Sequence, residues 1–149
     1  SVSSAASDVY KRQYLLLIKD SYCNFTNKTL PIEGGENLVA SFSRCPYPIA
    51  SHDTNSLFNY ANDAALNIFK TNWNDMIGKH SSLSADSQEQ DERNNLLAKV
   101  ATLGFFDGYK GKRKAFDGSF FHIYNATVWN IVDGANNYHG QAVIILEHS

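Results

Sequence analysis

No apolar stretch in this 149-residue chain runs longer than a handful of residues, far short of the roughly 20 that a helix needs to cross a bilayer. A membrane is therefore not an expected partner. Cysteine is scarce. Cys23 and Cys45 alone cannot build the multi-bridge framework of a small secreted domain, and with no secretory leader visible they read as free thiols of a cytoplasmic protein. The three Asn-x-Ser/Thr sequons, at Asn24, Asn27 and Asn125, then read as chance occurrences in an Asn-rich chain. An excess of one charge is lacking too. Lys and Arg total 13 against 15 Asp and Glu, and the one basic cluster, Lys110, Lys112, Arg113 and Lys114, is too small for a polyanion groove, so nucleic acid is not expected. His52, His80, His122, His139 and His148 show no H-x-x-x-H spacing and the cysteines no C-x-x-C, so no metal site is expected. A G-x-S-x-G nucleophile elbow is also absent.

What is present is a folding composition. The chain is 43% hydrophobic and 13% aromatic, and a single domain of this length buries roughly two-thirds of its unfolded surface without staples. The opening "SVSSAASDVYKRQ" lacks an initiator Met and an apolar period; residues 1–13 are set aside as a disordered or non-native leader. From Tyr14 the positions Tyr14, Leu17, Ile18, Tyr22 and Phe25 follow one helical face. "ENLVASFSR" reads as a short second helix, "PYPIASHD" as extended chain, and "SLFNYA" as a strand with Phe58 and Tyr60 on one face. Asn62 stands where an N-cap belongs, ahead of "DAALNIF". "TNWNDMIG" is another short helical turn. Ser87 with Gln90 forms a capping box, and Leu96, Leu97, Val100 and Leu103 make the stripe of a longer helix that Gly104 ends.

After Gly104 the residues are β-branched and aromatic, and "FDGS" and "DGANN" carry the Asp-Gly pairs of tight hairpin connections. Short strands, a helical block and a three-strand antiparallel meander make an α+β domain without internal repeats. In "SFFHIYNATVWNIV", Phe121, Ile123, Asn125, Thr127, Trp129 and Ile131 share one face by alternation, and Phe120, His122, Tyr124, Ala126, Val128, Asn130 and Val132 the other. Large apolar groups on both faces predict a strand covered on both sides. The first face is assigned to the helices and a cavity, the second to the N-terminal helix or a partner subunit.

The order of elements resembles a PAS domain. "FNYANDAALNIF" looks like its strand-to-helix signature and the three closing strands like its meander. Read more closely, "SHDT" (51–54), "FNYAN" (58–62) with "AAL" (64–66) and Phe69, "SLSAD" (82–86), Gly104 with Tyr109 and Gly111, Gly118 and Phe121, "ATVWN" (126–130) and "GQA" (140–142) resemble the MEKHLA family. This is a PAS-like domain found alone in microbial proteins and at the C-terminus of plant homeodomain-leucine zipper regulators. The resemblance spans roughly residues 14–147 and implies a five-stranded antiparallel sheet with short helices on one face, an N-terminal helix, and a single domain over 14–149. "GKHSSLSAD", Tyr124 and Asn125 depart from the family's usual residues, so ligand identity does not carry over. No homeodomain or zipper accompanies the domain in this sequence.

The Ser51-His52-Asp53 triplet invites a catalytic reading, but neighbours on a strand point to opposite faces and cannot converge on one centre. No catalytic residues are assigned. The resemblance implies a cavity, and the candidates to line it are His52, Tyr60, Asn125, Thr127, Trp129 and Gln141. A heme would need one axial His, for which His80 is the candidate. A Cys-adduct flavin site of the light-oxygen-voltage type is not expected, because its Asn-Cys-Arg-Phe-Leu-Gln run is missing. A non-covalent flavin stays open through the amides of Asn125, Asn130 and Gln141. The expected function is a sensory module that binds a small molecule non-covalently and signals through homodimer or partner contacts. The alternatives are a small enzyme using the same cavity, with His52 or Asp53 as acid/base, and a ligand-free dimerisation module.

Overall fold

The computed structural model describes residues 2–149, with side chains from Tyr10 onward; residue 1 and the side chains of 2–9, part of the stretch read as a leader, lie outside the described residues. In chain order the elements are α1 (Val2–Thr26), α2 (Leu38–Arg44), β1 (Ile49–His52), β2 (Phe58–Ala61), α3 (Asp63–Ile68), α4 (Trp73–Met76), two 3-10 turns (Ser81–Ser84 and Ser87–Glu89), α5 (Gln90–Leu103), β3 (Phe105–Lys114), β4 (Phe120–Val132) and β5 (Tyr138–His148). The strands form one antiparallel sheet in the order β2-β1-β5-β4-β3. The C-terminal meander is thus joined to the N-terminal hairpin through β1–β5 pairing, His52 opposite Gln141.

Asparagines start the short helices. Asn37, Asn62 and Asn72 each accept a backbone N–H from the first turn, at Ala40, Ala65 and Asp75, satisfying donors that a helix leaves open. The capping box expected at Ser87 and Gln90 does not form. A 3-10 turn already begins at Asp86, so Ser87 lies inside a turn instead of ahead of one, and the Gln90 side chain donates to the Ser82 and Ala85 carbonyls. Gly104 ends α5 at φ +94 with its N–H on the Val100 carbonyl, a conformation that glycine adopts freely. Leu103 of the expected stripe is exposed, and Arg93, Leu96 and Val100 are the buried positions of α5.

The sheet is buried on both faces, as the two-sided apolar pattern of β4 predicts. On one face α3, α4 and α5 enclose Phe58, Phe69, Met76, Leu96, Val100, Phe121, Ile123, Val128 and Ile145. On the other, α1 and α2 bring Leu15, Ile18, Tyr22 and Phe42 against Ile49, Tyr60, Trp129, Ile131 and Ile144. The buried α1 face runs through Leu15 and Ile18, and Leu17 lies only partly buried beside it. Full burial of Leu15, Ile18 and Tyr22, at about 2 kcal/mol each, makes α1 an integral layer. Its docking is directional as well: Trp129 Nε1 donates to the Ile18 carbonyl at 3.1 Å, while Ser21 Oγ donates to the Val132 carbonyl at 3.0 Å and accepts its N–H at 2.9 Å.

Two bulges correct the face assignments. Ser51 pairs with Tyr60 and His52 with Phe58, so Asn59 is an extra residue in β2. Phe58 therefore packs toward α3–α5 while Tyr60 packs under α1 and α2, where simple alternation places them together. In β4 the register slips on both sides of Asn125. Phe121 and Ile123 face α3–α5, but beyond the slip Ala126 and Val128 take over that face, and Trp129 and Ile131 turn to α1. An unpaired residue in one strand reverses every later side chain.

Candidate ligand cavity

Between the sheet and α3–α5 lies a cavity of about 90 Å³. Its apolar wall comes from Ala50, Phe58 and Phe69, from Leu96 and Leu97 of α5, and from Ile123, Val128, Val143 and Ile145 of the meander. Its polar groups are Ser51 and His52 of β1, Ser81 and Ser84 of the first 3-10 turn, Arg93 of α5, Tyr109 and Arg113 of β3, and Gln141 of β5. At roughly 10–15 Å³ of such space per water, the volume suits a few ordered waters or a small molecule of a few heavy atoms.

The triplet at 51–53 divides its labour. Ser51 Oγ donates to Asn59 Oδ1 at 2.6 Å, across the β2 bulge. Asp53 Oδ1 accepts the N–H groups of Asn55 and Leu57, at 2.8 and 3.0 Å, and closes the β1–β2 turn. His52 Nδ1 lies 3.0 Å from the Asp53 carbonyl. A carbonyl only accepts, so Nδ1 carries the proton and Nε2 of the neutral ring is an acceptor. Nε2 is buried and finds no partner among the described residues. Burial lowers the His52 pKa most, the Asp53 carbonyl partly opposes it, the Arg93 charge lowers it further, and the Gln141 side chain weakly raises it.

On the far wall stand two guanidinium groups, and only Arg113 pairs with a carboxylate among the described residues. Arg113 Nη1 meets Glu92 Oε2 at 3.2 Å, and the Tyr109 hydroxyl donates to the same oxygen at 3.1 Å. Gly111 makes room for this: a Cβ there would collide with the Tyr109 hydroxyl. Arg93 Nη2 donates to Ser81 Oγ. Burial, then the neighbouring Arg113 charge, weakens the hold of Arg93 on its proton, although a guanidinium stays charged in proteins.

Of the residues expected at the site, His52 and Gln141 line the cavity. Tyr60, Thr127 and Trp129 lie on the opposite face of the sheet, placed there by the bulges: Tyr60 and Trp129 sit in the α1/α2 core, and Thr127 Oγ1 donates to Asp107 at 2.6 Å. Asn125 sits at the β4 slip, outside the cavity lining. Gln141 Nε2 donates to the Leu97 carbonyl and to Asn130 Oδ1, and Asn130 Nδ2 to the Val100 carbonyl, so these amides tie α5 to the sheet. His80 is exposed and bonds Ser82 in its own turn, which removes it as an axial ligand. A flavin or porphyrin does not fit: the cavity, at about 90 Å³, is several-fold below the roughly 300–1,000 Å³ of pockets for drug-sized ligands.

Sequence reading missed Arg93 and Arg113, yet both left a signal. Arg93 precedes Leu96, Leu97 and Val100 at i, i+3, i+4 and i+7, on the buried stripe of α5. Arg113 is in phase with Tyr109 and Gly111, opposite the exposed Lys110 and its neighbours.

The MEKHLA domain model matches residues 12–149. The chain belongs to the MEKHLA domain family. Among curated proteins none matches this MEKHLA domain by sequence. Solved PAS-type structures share its fold at low identity. The PAS domain of a protein from Colwellia psychrerythraea is 14% identical with a TM-score of 0.66, over 73% of this chain and 92% of that one. The PAS domain of a LuxR-family transcriptional regulator from Burkholderia thailandensis, in complex with ethanol, is 18% identical with a TM-score of 0.57, over 71% and 93%. The photo-excited blue-light photoreceptor Vivid is 12% identical with a TM-score of 0.60, over 91% and 93%. The MEKHLA domain is therefore PAS-like in fold, and among its described residues no helix is long and apolar enough to cross a membrane.

Proposed function

We propose that this MEKHLA domain, taken as residues 14–149, is a sensory module that binds a small molecule non-covalently in the cavity between its sheet and α3–α5. One observation carries the reading: His52 lines the cavity, and its buried Nε2 lacks a donor among the described residues. Leaving such an atom unmet costs about 1–3 kcal/mol, and a ligand that donates there recovers it. The PAS domain solved with ethanol supports a pocket of this kind for small polar molecules. The path outward is short. Val128 borders the cavity while its neighbour Trp129 packs on α1 through Tyr22 and the Ile18 carbonyl. A ligand that shifts β4 biases how α1 sits, and with it contacts to a second copy or a partner. Phe120, His122 and Tyr124, exposed at the open end of β4, offer a surface for such contacts.

The enzyme alternative needs a second polar group within hydrogen-bond reach of the imidazole nitrogen that faces the cavity. The Gln141 side chain borders the ring, but Nε2 makes no hydrogen bond among the described residues, which favours binding over acid/base chemistry. Native mass spectrometry of the purified protein, read alongside its absorbance spectrum, tests the proposal. A stoichiometric small molecule is expected, lost in Val128→Phe, which fills the cavity. An empty wild-type protein whose melting temperature responds to no small polar molecule would overturn it.

A further inference from the structure

Arg93 is the cavity group whose surroundings do not balance it. It is 6% exposed, and its side-chain hydrogen bond among the described residues goes to Ser81 Oγ, a neutral group. No carboxylate of the described residues lies within 4.0 Å of its guanidinium. Glu92, next in sequence, is engaged by Arg113 and Tyr109. Two guanidinium charges against one carboxylate leave this wall with a net positive charge, and a buried charge without a counter-charge is unfavourable. The planar fork of arginine is matched by a carboxylate, which it binds with paired N–H donors.

Two further observations narrow the occupant. His52 lines the same cavity, and its buried Nε2 has no hydrogen-bond donor among the described residues. Gln141 cannot supply one, because its amide nitrogen is already given to Leu97 and Asn130, and its oxygen only accepts. The remaining wall, from Phe58, Leu96, Val128 and Ile145, is apolar, and the space is about 90 Å³. An inorganic anion leaves that wall unused, and a long chain does not fit.

We infer that the cavity takes a small carboxylic acid of a few carbons, its carboxylate on Arg93 and a hydroxyl donating to His52. This rests on the cavity being a ligand site, and the experiment separates the two claims. Thermal melts and titration calorimetry on the full chain compare lactate, propionate, the uncharged lactamide, propane-1,2-diol and inorganic phosphate. Lactate is expected to bind, lactamide and the diol to be silent at the same concentration, and propionate to bind more weakly for want of the hydroxyl. Arg93→Met removes the unbalanced charge and keeps the bulk; it is expected to melt no lower than wild type and to lose the lactate response. Arg93→Lys keeps the charge without the fork and is expected to lose about tenfold in affinity, the worth of one charge-assisted hydrogen bond. A response to lactamide or the diol with lactate silent overturns the acid and leaves the cavity reading standing. Silence toward every probe overturns both. Binding of phosphate alone, or a lactate response unchanged in Arg93→Met and Arg93→Lys, overturns the assignment of the anion to Arg93 as a carboxylate.

Discussion

Asn62 is 1% exposed and its side chain makes four hydrogen bonds. Oδ1 accepts from Ile49 N and from Ala65 N, each at 2.9 Å, while Nδ2 donates to the Tyr47 carbonyl at 2.9 Å and the Phe42 carbonyl at 3.1 Å. One amide thus joins the end of α2, the entry to β1 and the start of α3. As an isolated helix cap, aspartate is as good as asparagine. Here Asn62→Asp keeps both acceptances but loses both donations, at about 1 kcal/mol each, and places a carboxylate against two carbonyl oxygens in a dry site. Desolvation adds several kcal/mol, for a total of about 3–5 kcal/mol. Asn62→Ala loses all four bonds without burying a charge, at about 3–4 kcal/mol, so aspartate is expected to be at least as damaging as alanine. With a urea slope of about 2 kcal/mol per M, either midpoint falls by roughly 2 M. The aspartate defect shrinks as pH falls toward 5, because burial raises the folded carboxylate pKa and its protonation restores one donor. Urea titrations followed by circular dichroism at pH 7 and pH 5 measure this. An Asn62→Asp protein within about 1 kcal/mol of wild type would show that the cap alone matters and refute the donor argument.

Trp129→Phe removes the indole N–H from the Ile18 carbonyl and is expected to destabilise by about 1–3 kcal/mol, with faster amide exchange along α1 as the specific sign of its loosening. Gly140→Ala is expected to cost about 2 kcal/mol or more: the residue holds φ +134, and a Cβ would collide with the His52 carbonyl oxygen, which sits in the β1 backbone and cannot swing aside. Chemical denaturation of Gly140→Ala beside Gly104→Ala, which shares the positive φ (+94) but whose Cβ meets first the Phe25 side chain and not backbone, checks the ranking. Burial, with the Arg93 charge behind it, holds the folded His52 pKa below that of the unfolded chain. The unfolded chain therefore binds more protons just below about pH 6.5, so stability is full above that pH and declines as pH drops through the window. His52→Gln is expected to flatten this decline, and an unaltered slope would remove His52 as its source.

The elements were legible because local chemistry specifies them: an asparagine cap at Asn62, glycine at the end of α5, and Asp-Gly turns between strands. The covering of β4 on both sides was legible from large apolar groups at both parities. The lining of the cavity was mostly not. Counting by twos holds only while a ladder is unbroken, and the extra residue at Asn59 and the slip at Asn125 moved Tyr60, Thr127 and Trp129 to the α1 side. His52 and Gln141 survived because β1 and β5 pair without interruption between Ile49 and His52.

Caps, turns and apolar period act between residues a few positions apart, so the kind of elements, their order and the family motifs can be read along the chain. Which side chains meet is set by the packing of distant segments. Whether Trp129 faces α1 or the cavity depends on one unpaired residue in a strand. That Arg93 is buried without a carboxylate depends on Glu92 turning to Arg113, a contact between α5 and β3 that spacing along the chain does not encode.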